Sequence, residues 1–194
     1  MRNKVVVITG ASSGIGLALA LQALEEGAFV AVCARNCTSL IEANSKEIEE
    51  GRFLVMSVDV SDEIACKQFI DAIISKWQKI DILINNAGIS MRSLLAETEI
   101  SVLKELMNIN FWGTVYCTKY ALESIKAQKG VIVGVSSIAG YRGLPGRTGY
   151  SASTFAMQGF LESLRTELLH SGTHVMWVSP GFTASNIRNV SRMG

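Results

Sequence analysis

The stretch that decides the fold is VVVITGASSGIG, residues 5–16. Four apolar, β-branched residues predict a buried strand, and the glycine-rich segment after them leads into a helical pattern. Gly10 permits the tight turn, Gly14 lets the backbone approach a pyrophosphate, and Gly16 lets helix and strand pack closely. The N-terminus of that helix faces the anion with its N–H groups and dipole. A turn that needs left-handed residues also produces such glycines, so the flanking strand and helix make the motif informative.

Along the rest of the chain, short β-branched runs alternate with longer amphipathic stretches. This pattern is typical of a parallel sheet covered by helices on both faces. The predicted strands are 4–9, 28–34, 52–57, 80–84, 130–135 and 173–179. The predicted helices are 14–26, 37–50, 62–77, 99–127 and 151–170. We therefore expect one doubly wound α/β domain over 1–194, with its ligand at the carboxyl ends of the strands.

Composition narrows the function classes. Apolar residues make up 48% of the 194 positions and charged residues 18%, which excludes a disordered chain. The 18 basic and 17 acidic residues are scattered, so we expect no nucleic-acid partner. The four cysteines form no CxxC pair and lie near no histidine cluster, which predicts no metal site and reduced thiols in the cytoplasm. The first apolar run stops after residue 8, too early for a membrane span.

The glycine spacing identifies a particular kind of nucleotide site. Three residues separate Gly10 from Gly14, where the common dinucleotide fingerprint has one. The segment resembles the TGxxxGIG motif of the short-chain dehydrogenase/reductase family, and further matches follow over essentially the whole chain. Asp59 and Val60 resemble the family's adenine-contacting pair, and NNAG at 85–88 matches its sheet-supporting motif. The resemblance implies a Rossmann-like oxidoreductase that interconverts a small-molecule carbonyl and alcohol.

The end of the second predicted strand bears on cofactor choice. Dinucleotide-binding proteins that prefer NAD place an acidic residue there for the ribose 2′-hydroxyl. This chain reads VCARN at 32–36, with no carboxylate, and Arg35 is able to pair with a 2′-phosphate. We therefore expect NADP(H) to be preferred over NAD(H). The alternative is that Arg35 is a solvated surface residue.

The resemblance implies four catalytic positions. Asn110 matches the family's helix asparagine, which bends its helix and helps to hold a water. Ser137 ends the fifth predicted strand, thirteen residues before Tyr150, which is the family's usual separation; Ser136 is the second candidate. Tyr150 opens YSAST, residues 150–154, where the family's YxxxK motif places lysine at the last position. That residue is Thr154.

The threonine removes a charge from the expected site. Residues four apart share one face of a helix, so a lysine there lowers the pKa of the catalytic tyrosine in the family. A tyrosine of ordinary pKa, about 10, pays up to ~4 kcal/mol to act as a base at pH ~7, about a thousandfold in rate. Lys119 and Lys126 on the preceding predicted helix are the open candidates for a replacement. The alternative interpretations are that Thr154 is a helix-surface residue without a role and that Tyr150 is a core or interface aromatic.

The last motif follows the sixth predicted strand. SPGFTAS at 179–185 resembles the family's loop that contacts the nicotinamide amide, with Pro180 and Gly181 at its start and Thr183 favoured over Ser185 for the hydroxyl. Family members normally continue with a lid and a final strand, so either this sequence omits the C-terminal strand and lid of the protein or this form lacks part of its substrate site. The loop before Tyr150 carries Arg142 and Arg147. These arginines either attract an anionic substrate or have no specific role.

The sequence thus predicts one complete site. The candidate catalytic residues are Asn110, Ser137, Tyr150 and Thr154. The candidate cofactor-binding residues are Gly10, Ser12, Ser13, Gly14, Ile15, Gly16, Arg35, Asp59, Val60, Asn86, Ala87, Gly88, Tyr150, Pro180, Gly181 and Thr183. The resemblance also implies a homodimer or homotetramer through the helices at 99–127 and 151–170. The second hypothesis for function is a catalytically weak NADP(H)-binding module or oligomer partner.

Overall fold

A computed structural model describes residues 1–181 and residue 183. In this part of the chain six strands form one sheet in the order β3-β2-β1-β4-β5-β6, with every neighbouring pair parallel. The strands are β1 Val5–Thr9, β2 Phe29–Ala34, β3 Phe53–Ser57, β4 Ile82–Asn85, β5 Val131–Val135 and β6 His174–Val178. The order reverses between β1 and β4, which opens a crevice at their carboxyl ends. The predicted doubly wound α/β fold is confirmed.

Helices cover both faces of the sheet. They are α1 Gly14–Glu25, α2 Thr38–Ala43, α3 Ser45–Glu49, α4 Glu63–Trp77, α5 Ile100–Leu106, α6 Gly113–Ala127 and α7 Thr148–Glu167. Successive side chains of β1 alternate between two cores, because a strand has a period of two. Val5 and Val7 pack on the side of α4, α6 and α7, whereas Val6 and Ile8 pack on the side of α1. None of the helices in residues 1–181 is both long and apolar enough to cross a membrane.

Three predicted helices differ from the structure by more than one residue. The prediction over 37–50 is wrong as a single helix, because Asn44 turns its amide onto the oxygen of Leu40 (2.9 Å) and separates α2 from α3. Asparagine competes with the backbone for hydrogen bonds in this way. The helix predicted at 99–127 is interrupted by one wider turn over Met107–Trp112, of the π type. The last helix begins at Thr148 and ends at Glu167, three residues earlier at each end than predicted.

A buried carboxylate joins the starts of β1 and β4. The Asp81 side chain is 3% exposed and accepts hydrogen bonds from Lys4 Nζ (2.7 Å) and the backbone N–H of Val5 (2.9 Å). Lys79 Nζ lies 2.9 Å from Asp81 Oδ2, the oxygen that also accepts from Val5. Burial raises the pKa of the Asp81 carboxyl, but these donors outweigh burial and bring the pKa below its ordinary value. The cluster therefore holds the two central strands in register at the end opposite the crevice.

Candidate active site

The glycine loop after β1 has the backbone that its sequence predicts. Gly10 has a φ of 68° and Gly14 a φ of 59°, a region that favours glycine. A Cβ at Gly10 would lie 2.6 Å from the Cα of Ala87. At Gly16, a Cβ would lie 2.5 Å from Asn86 Nδ2 and 2.6 Å from the oxygen of Gly10. The loop is thus packed too tightly against the end of β4 to accept a side chain at either position.

The N-terminus of α1 has its hydrogen-bond donors available. Ser13 precedes the helix in an extended conformation, and its side chain makes no capping hydrogen bond. No acidic residue occupies the first turn of α1. The first N–H groups of a helix lack partners within the helix and carry its positive dipole end. This cradle fits the pyrophosphate of a dinucleotide.

Thr9 is a supporting residue that the sequence analysis did not single out. Its Oγ1 accepts hydrogen bonds from the backbone N–H groups of Asn86 and Ala87, each at 3.0 Å. Asn86 in turn donates through Nδ2 to the oxygens of Thr9 (2.9 Å) and Gly10 (3.0 Å). The sequence signal that could have identified Thr9 is a hydroxyl residue between an apolar strand and a glycine. These four bonds join the glycine loop to the segment that follows β4.

A small pocket of about 110 Å³ lies between the ends of β1, β2 and β3. Arg35, Asp59 and Val60 line it together with Gly10 and Ser12. The Asp59 carboxylate accepts hydrogen bonds from the Ser61 N–H (2.9 Å) and hydroxyl (2.7 Å), which fixes the turn after β3. The residues predicted for the adenosine end of a cofactor therefore surround one space. The Arg35 side chain is exposed at its edge.

A larger cleft of about 440 Å³ opens beyond the carboxyl ends of β1, β4 and β5. It brings together residues predicted for both the phosphate and the reaction ends of the site. These are Ser13, Gly14, Ile15, Asn86, Ala87, Gly88, Asn110, Ser137, Tyr150, Thr154, Pro180, Gly181 and Thr183. Ser185, the second candidate for the hydroxyl of the last loop, lies outside the described residues. Segments that are far apart in sequence thus line one cleft.

The two serines after β5 have different surroundings. Ser136 is 6% exposed, and its Oγ accepts a hydrogen bond from Gln158 Nε2 at 2.8 Å. Ser137 is more exposed and precedes a short 3₁₀ turn, where its Oγ accepts from the Ala139 N–H at 3.2 Å. This contact leaves the hydroxyl hydrogen of Ser137 free to donate to a ligand in the cleft. Gln158, on α7, was not found from the sequence, because a buried glutamine in a helix carries no local signal.

Asn110 lies within the wider turn between α5 and α6. Its Oδ1 accepts from the N–H of Ile89 (2.9 Å), and its Nδ2 donates to the oxygen of Ile89 (3.0 Å) and to Ser153 Oγ (2.9 Å). Ser153 Oγ also donates to the backbone oxygen of Tyr150 at 3.0 Å. The buried amide therefore connects the segment after β4 to the helix that carries Tyr150. Ser153 is a second supporting residue that the sequence analysis missed.

Tyr150 lies in the first turn of α7, and Thr154 follows one turn later. Thr154 is 4% exposed, so the alternative of a helix-surface residue is wrong. Its Oγ1 lies 2.9 Å from the oxygen of Tyr150 and 3.0 Å from that of Ser151, and the hydroxyl donates back to its own helix. No lysine lines the cleft in the described part of the chain. Position 154 therefore contributes no charge to the site.

The two candidate replacement lysines lie elsewhere. Lys119 is exposed on α6, and Lys126 Nζ pairs with Glu123 at 2.9 Å. A different cation, Arg147, is close to the tyrosine, with its guanidinium carbon 5.9 Å from the centroid of the Tyr150 ring. Among the residues that the structure describes, no three His, Cys, Asp or Glu side chains converge to hold a metal ion.

The fold and the cleft define a dinucleotide-binding α/β protein, and comparison with known proteins gives its family. A family profile described as short chain dehydrogenase matches residues 4–193, so the chain belongs to the short-chain dehydrogenase/reductase family. It is 40% identical over 188 residues to an 11-beta-hydroxysteroid dehydrogenase A of Arachis hypogaea, covering 95% of this chain and 54% of the relative. It is 39% identical to dehydrogenase/reductase SDR family member 7 of Mus musculus, covering 96% and 57%. The chain thus spans somewhat more than half the length of these relatives.

Solved structures are similar over nearly the whole described chain. A short-chain dehydrogenase/reductase of unknown function from Caenorhabditis elegans, solved with cofactor, has a TM-score of 0.89 and 29% identity over 97% of this chain and 73% of its own. ElxO with NADP bound has a TM-score of 0.88 and 31% identity, covering 97% and 77%. A relative from Burkholderia phymatum in complex with NAD has a TM-score of 0.90 and 25% identity, covering 97% and 69%. Both NADP and NAD therefore occur among the neighbours.

Proposed function

We propose that this chain is an NADP(H)-dependent oxidoreductase that interconverts a carbonyl and an alcohol, with 1–194 acting as one cofactor-binding domain. The observation that carries the proposal is the single cleft shared by the α1 N-terminus and the side chains of Ser137 and Tyr150. A bound nicotinamide cofactor supplies or accepts the hydride. The chain itself has to hold the cofactor, orient the substrate and handle the proton on the reacting oxygen.

The protein groups divide this work by position. The backbone N–H groups at Gly14–Gly16 bind the pyrophosphate, and Pro180, Gly181 and Thr183 border the nicotinamide end. Ser137 donates a hydrogen bond to the carbonyl oxygen, and the Tyr150 hydroxyl gives it a proton during reduction. Asn110 keeps α7 and the segment after β4 together. Thr154 supplies no charge next to Tyr150, so we expect turnover to be slow.

Cofactor preference is a separate part of the proposal. Arg35 is exposed at the mouth of the small pocket between the ends of β1, β2 and β3, the proposed adenosine pocket, and we infer that it pairs with a 2′-phosphate there. Asp59 is the only carboxylate in the described lining of this pocket. NADP(H) is therefore the favoured cofactor over NAD(H). The names of several relatives make hydroxysteroids candidate substrates, together with smaller ketones and aldehydes.

The position of Thr154 also favours a second function. A cofactor cleft without a charge at position 154 suits a weakly catalytic module that binds NADP(H) and acts through a partner. In both cases we expect a homodimer or homotetramer, supported by the exposed aromatic residues Trp112 and Phe155 on the helices that flank the cleft. Light scattering that finds only monomer would exclude the oligomer. Four free, buried cysteines support a reducing compartment, the cytoplasm.

The test follows NADPH binding by fluorescence and NADPH oxidation by absorbance, with a panel of aldehydes, ketones and an 11-oxosteroid. Tyr150→Phe removes the hydroxyl in the cleft. Tyr141→Phe is the matched control, because the Tyr141 hydroxyl lies outside the cleft lining and accepts a hydrogen bond from Trp177. We expect both variants to bind NADPH and only Tyr150→Phe to lose turnover. NADPH binding without turnover in the unaltered chain and in Thr154→Lys would favour the binding module.

A further inference from the structure

The charge of the cleft carries information about the substrate. In the described part of the chain two charged residues line the cleft, Arg92 and Arg147, and no carboxylate lines it. Much of the remaining wall is apolar, including Val135, Leu144 and Met157. A positively charged region beside low-dielectric walls raises the local concentration of anions and strengthens their binding.

The segments that carry the two arginines are fastened to each other. Arg147 donates through its guanidinium to the hydroxyl of Ser90, which is 2% exposed. The N–H of Ser93 donates to the oxygen of Gly146 at 3.1 Å. These contacts hold 90–93, after β4, against 146–147, before α7. The guanidinium of Arg147 is therefore positioned before a ligand arrives, which lowers the entropy cost of binding.

The position of these arginines separates them from the cofactor's phosphates. The pyrophosphate cradle lies at the N-terminus of α1, and Arg35 lies in the smaller adenosine pocket. Arg147 instead lies over the Tyr150 ring, with 5.9 Å between its guanidinium carbon and the ring centroid. The positive charge of Arg147 is therefore next to the substrate, because the reacting oxygen of the substrate contacts Tyr150 in the proposed function. By contrast, Arg142 on the same loop is exposed and outside the cleft lining.

We propose that the substrate carries an oxyanion, a carboxylate or a phosphate, which Arg147 and Arg92 bind while its carbonyl or alcohol group reaches Tyr150. This rests on the proposed oxidoreductase function and narrows its candidate substrates to anionic compounds, in place of the uncharged hydroxysteroids that the relatives' names suggest. A guanidinium forms strong, charge-assisted hydrogen bonds with either group. The apolar wall contacts the carbon skeleton between the anionic group and the reacting carbon.

The test compares substrates that share one aldehyde and differ in charge: 4-formylbenzoate, its methyl ester, and 4-formylphenyl phosphate. The quantity measured is the ratio of kcat/KM for each anion to that of the neutral ester. We expect Arg147→Gln to lower this ratio about tenfold or more, since hydrogen bonds to charged groups are the strong ones. Arg92→Gln lowers it less, because Arg92 is exposed, and Arg147→Lys retains part of it. Arg142→Gln is the matched control and leaves it unchanged.

Two outcomes overturn the proposal. One is an anion-to-neutral ratio that stays the same in Arg147→Gln. The other is an equal loss of kcat/KM with all three aldehydes, which would mean that Arg147 acts on Tyr150 and not on the anionic group of the substrate. Either result with turnover of the neutral ester leaves the oxidoreductase function standing. Whichever of the two anions depends more on Arg147 identifies the oxyanion.

A binding experiment decides the matter if turnover is too slow to measure. Calorimetry compares benzoate with benzamide, and phenyl phosphate with phenol, each added to the NADPH-bound protein. Binding of an anion that weakens about tenfold or more in Arg147→Gln, and weakens with added salt, supports the anion site even if no aldehyde is reduced. Equal binding of the charged and neutral compounds would refute it. Thermal melting of each variant establishes that the fold is retained.

Discussion

Replacing Thr154 with lysine tests what a single charge contributes to this cleft. Side chains four residues apart on a helix lie about 5–6 Å from each other, so the ammonium group reaches the neighbourhood of Tyr150. At a separation of ~6 Å and an effective dielectric constant of ~20, a cation stabilises a developing negative charge by about 3 kcal/mol. That corresponds to about a hundredfold in rate. Screening by bulk water is limited, because position 154 is 4% exposed.

The assay is the initial rate of NADPH oxidation with a carbonyl from the panel, together with the NADPH dissociation constant. Thr154→Met is the first control, since methionine resembles the lysine stem without its charge. Ser75→Lys is the second, because Ser75 is exposed on α4 and outside the cleft lining, so the same charge is added away from Tyr150. We expect Thr154→Lys to raise kcat about a hundredfold and the controls to leave it near the starting value. Equal rates for Thr154→Lys and Thr154→Met, with both variants saturated with NADPH, would refute the reasoning.

Three further changes test the cofactor site and the fold. Arg35→Ala should weaken NADPH binding about ten- to a hundredfold and leave NADH binding nearly unchanged, as fluorescence titration would show; an unaltered ratio contradicts the assigned preference. Gly16→Ala would place a Cβ 2.6 Å from a backbone oxygen, so it should lower the free energy of unfolding by about 1–3 kcal/mol and weaken NADPH binding. Its control is Gly159→Ala, which has open space around it and should stabilise α7 by about 0.5–1 kcal/mol; denaturant melts measure both changes. Asp81→Asn should cost about 1–3 kcal/mol at pH 7, and the exposed Asp71→Asn less than about 0.5 kcal/mol. Because the folded pKa of Asp81 is lowered, its stabilisation is complete above the ordinary value near pH ~4 and is lost as the pH falls through the lowered one; a constant difference between Asp81→Asn and the unaltered chain over that range would contradict this.

The order of the elements was predictable because each strand is short and β-branched and each helix is amphipathic. What a pattern does not show is a local competition for hydrogen bonds. Asn44 falls in the middle of a helical pattern, yet its amide bonds the backbone of the preceding turn and divides the helix. The wider turn at Met107–Trp112 depends on Asn110, which bonds the segment after β4 and so is held by a tertiary contact.

Site residues were predictable from the sequence where a local backbone requirement at the end of a strand favours one residue type. Gly10 and Gly14 belong to this group, because the turn between β1 and α1 requires a positive φ at both positions, and that requirement is local. The anchoring of Arg147 to Ser90 and of Gln158 to Ser136 does not, since each pair is joined across more than 20 residues. The hydroxyl of Thr154 was also not predictable, because only the structure shows that it is bonded to its own helix.

The bonds between Thr9 and Asn86 link residues 77 apart in the chain. The phosphate cradle is therefore incomplete until β4 has paired with β1, and closing so long a loop is a slow, non-local step of folding. A nucleotide has little to bind in a chain whose first two strands alone have formed. Nucleotide binding therefore stabilises only the assembled protein. NADPH should slow unfolding and protect against proteolysis without accelerating the folding of the newly made chain.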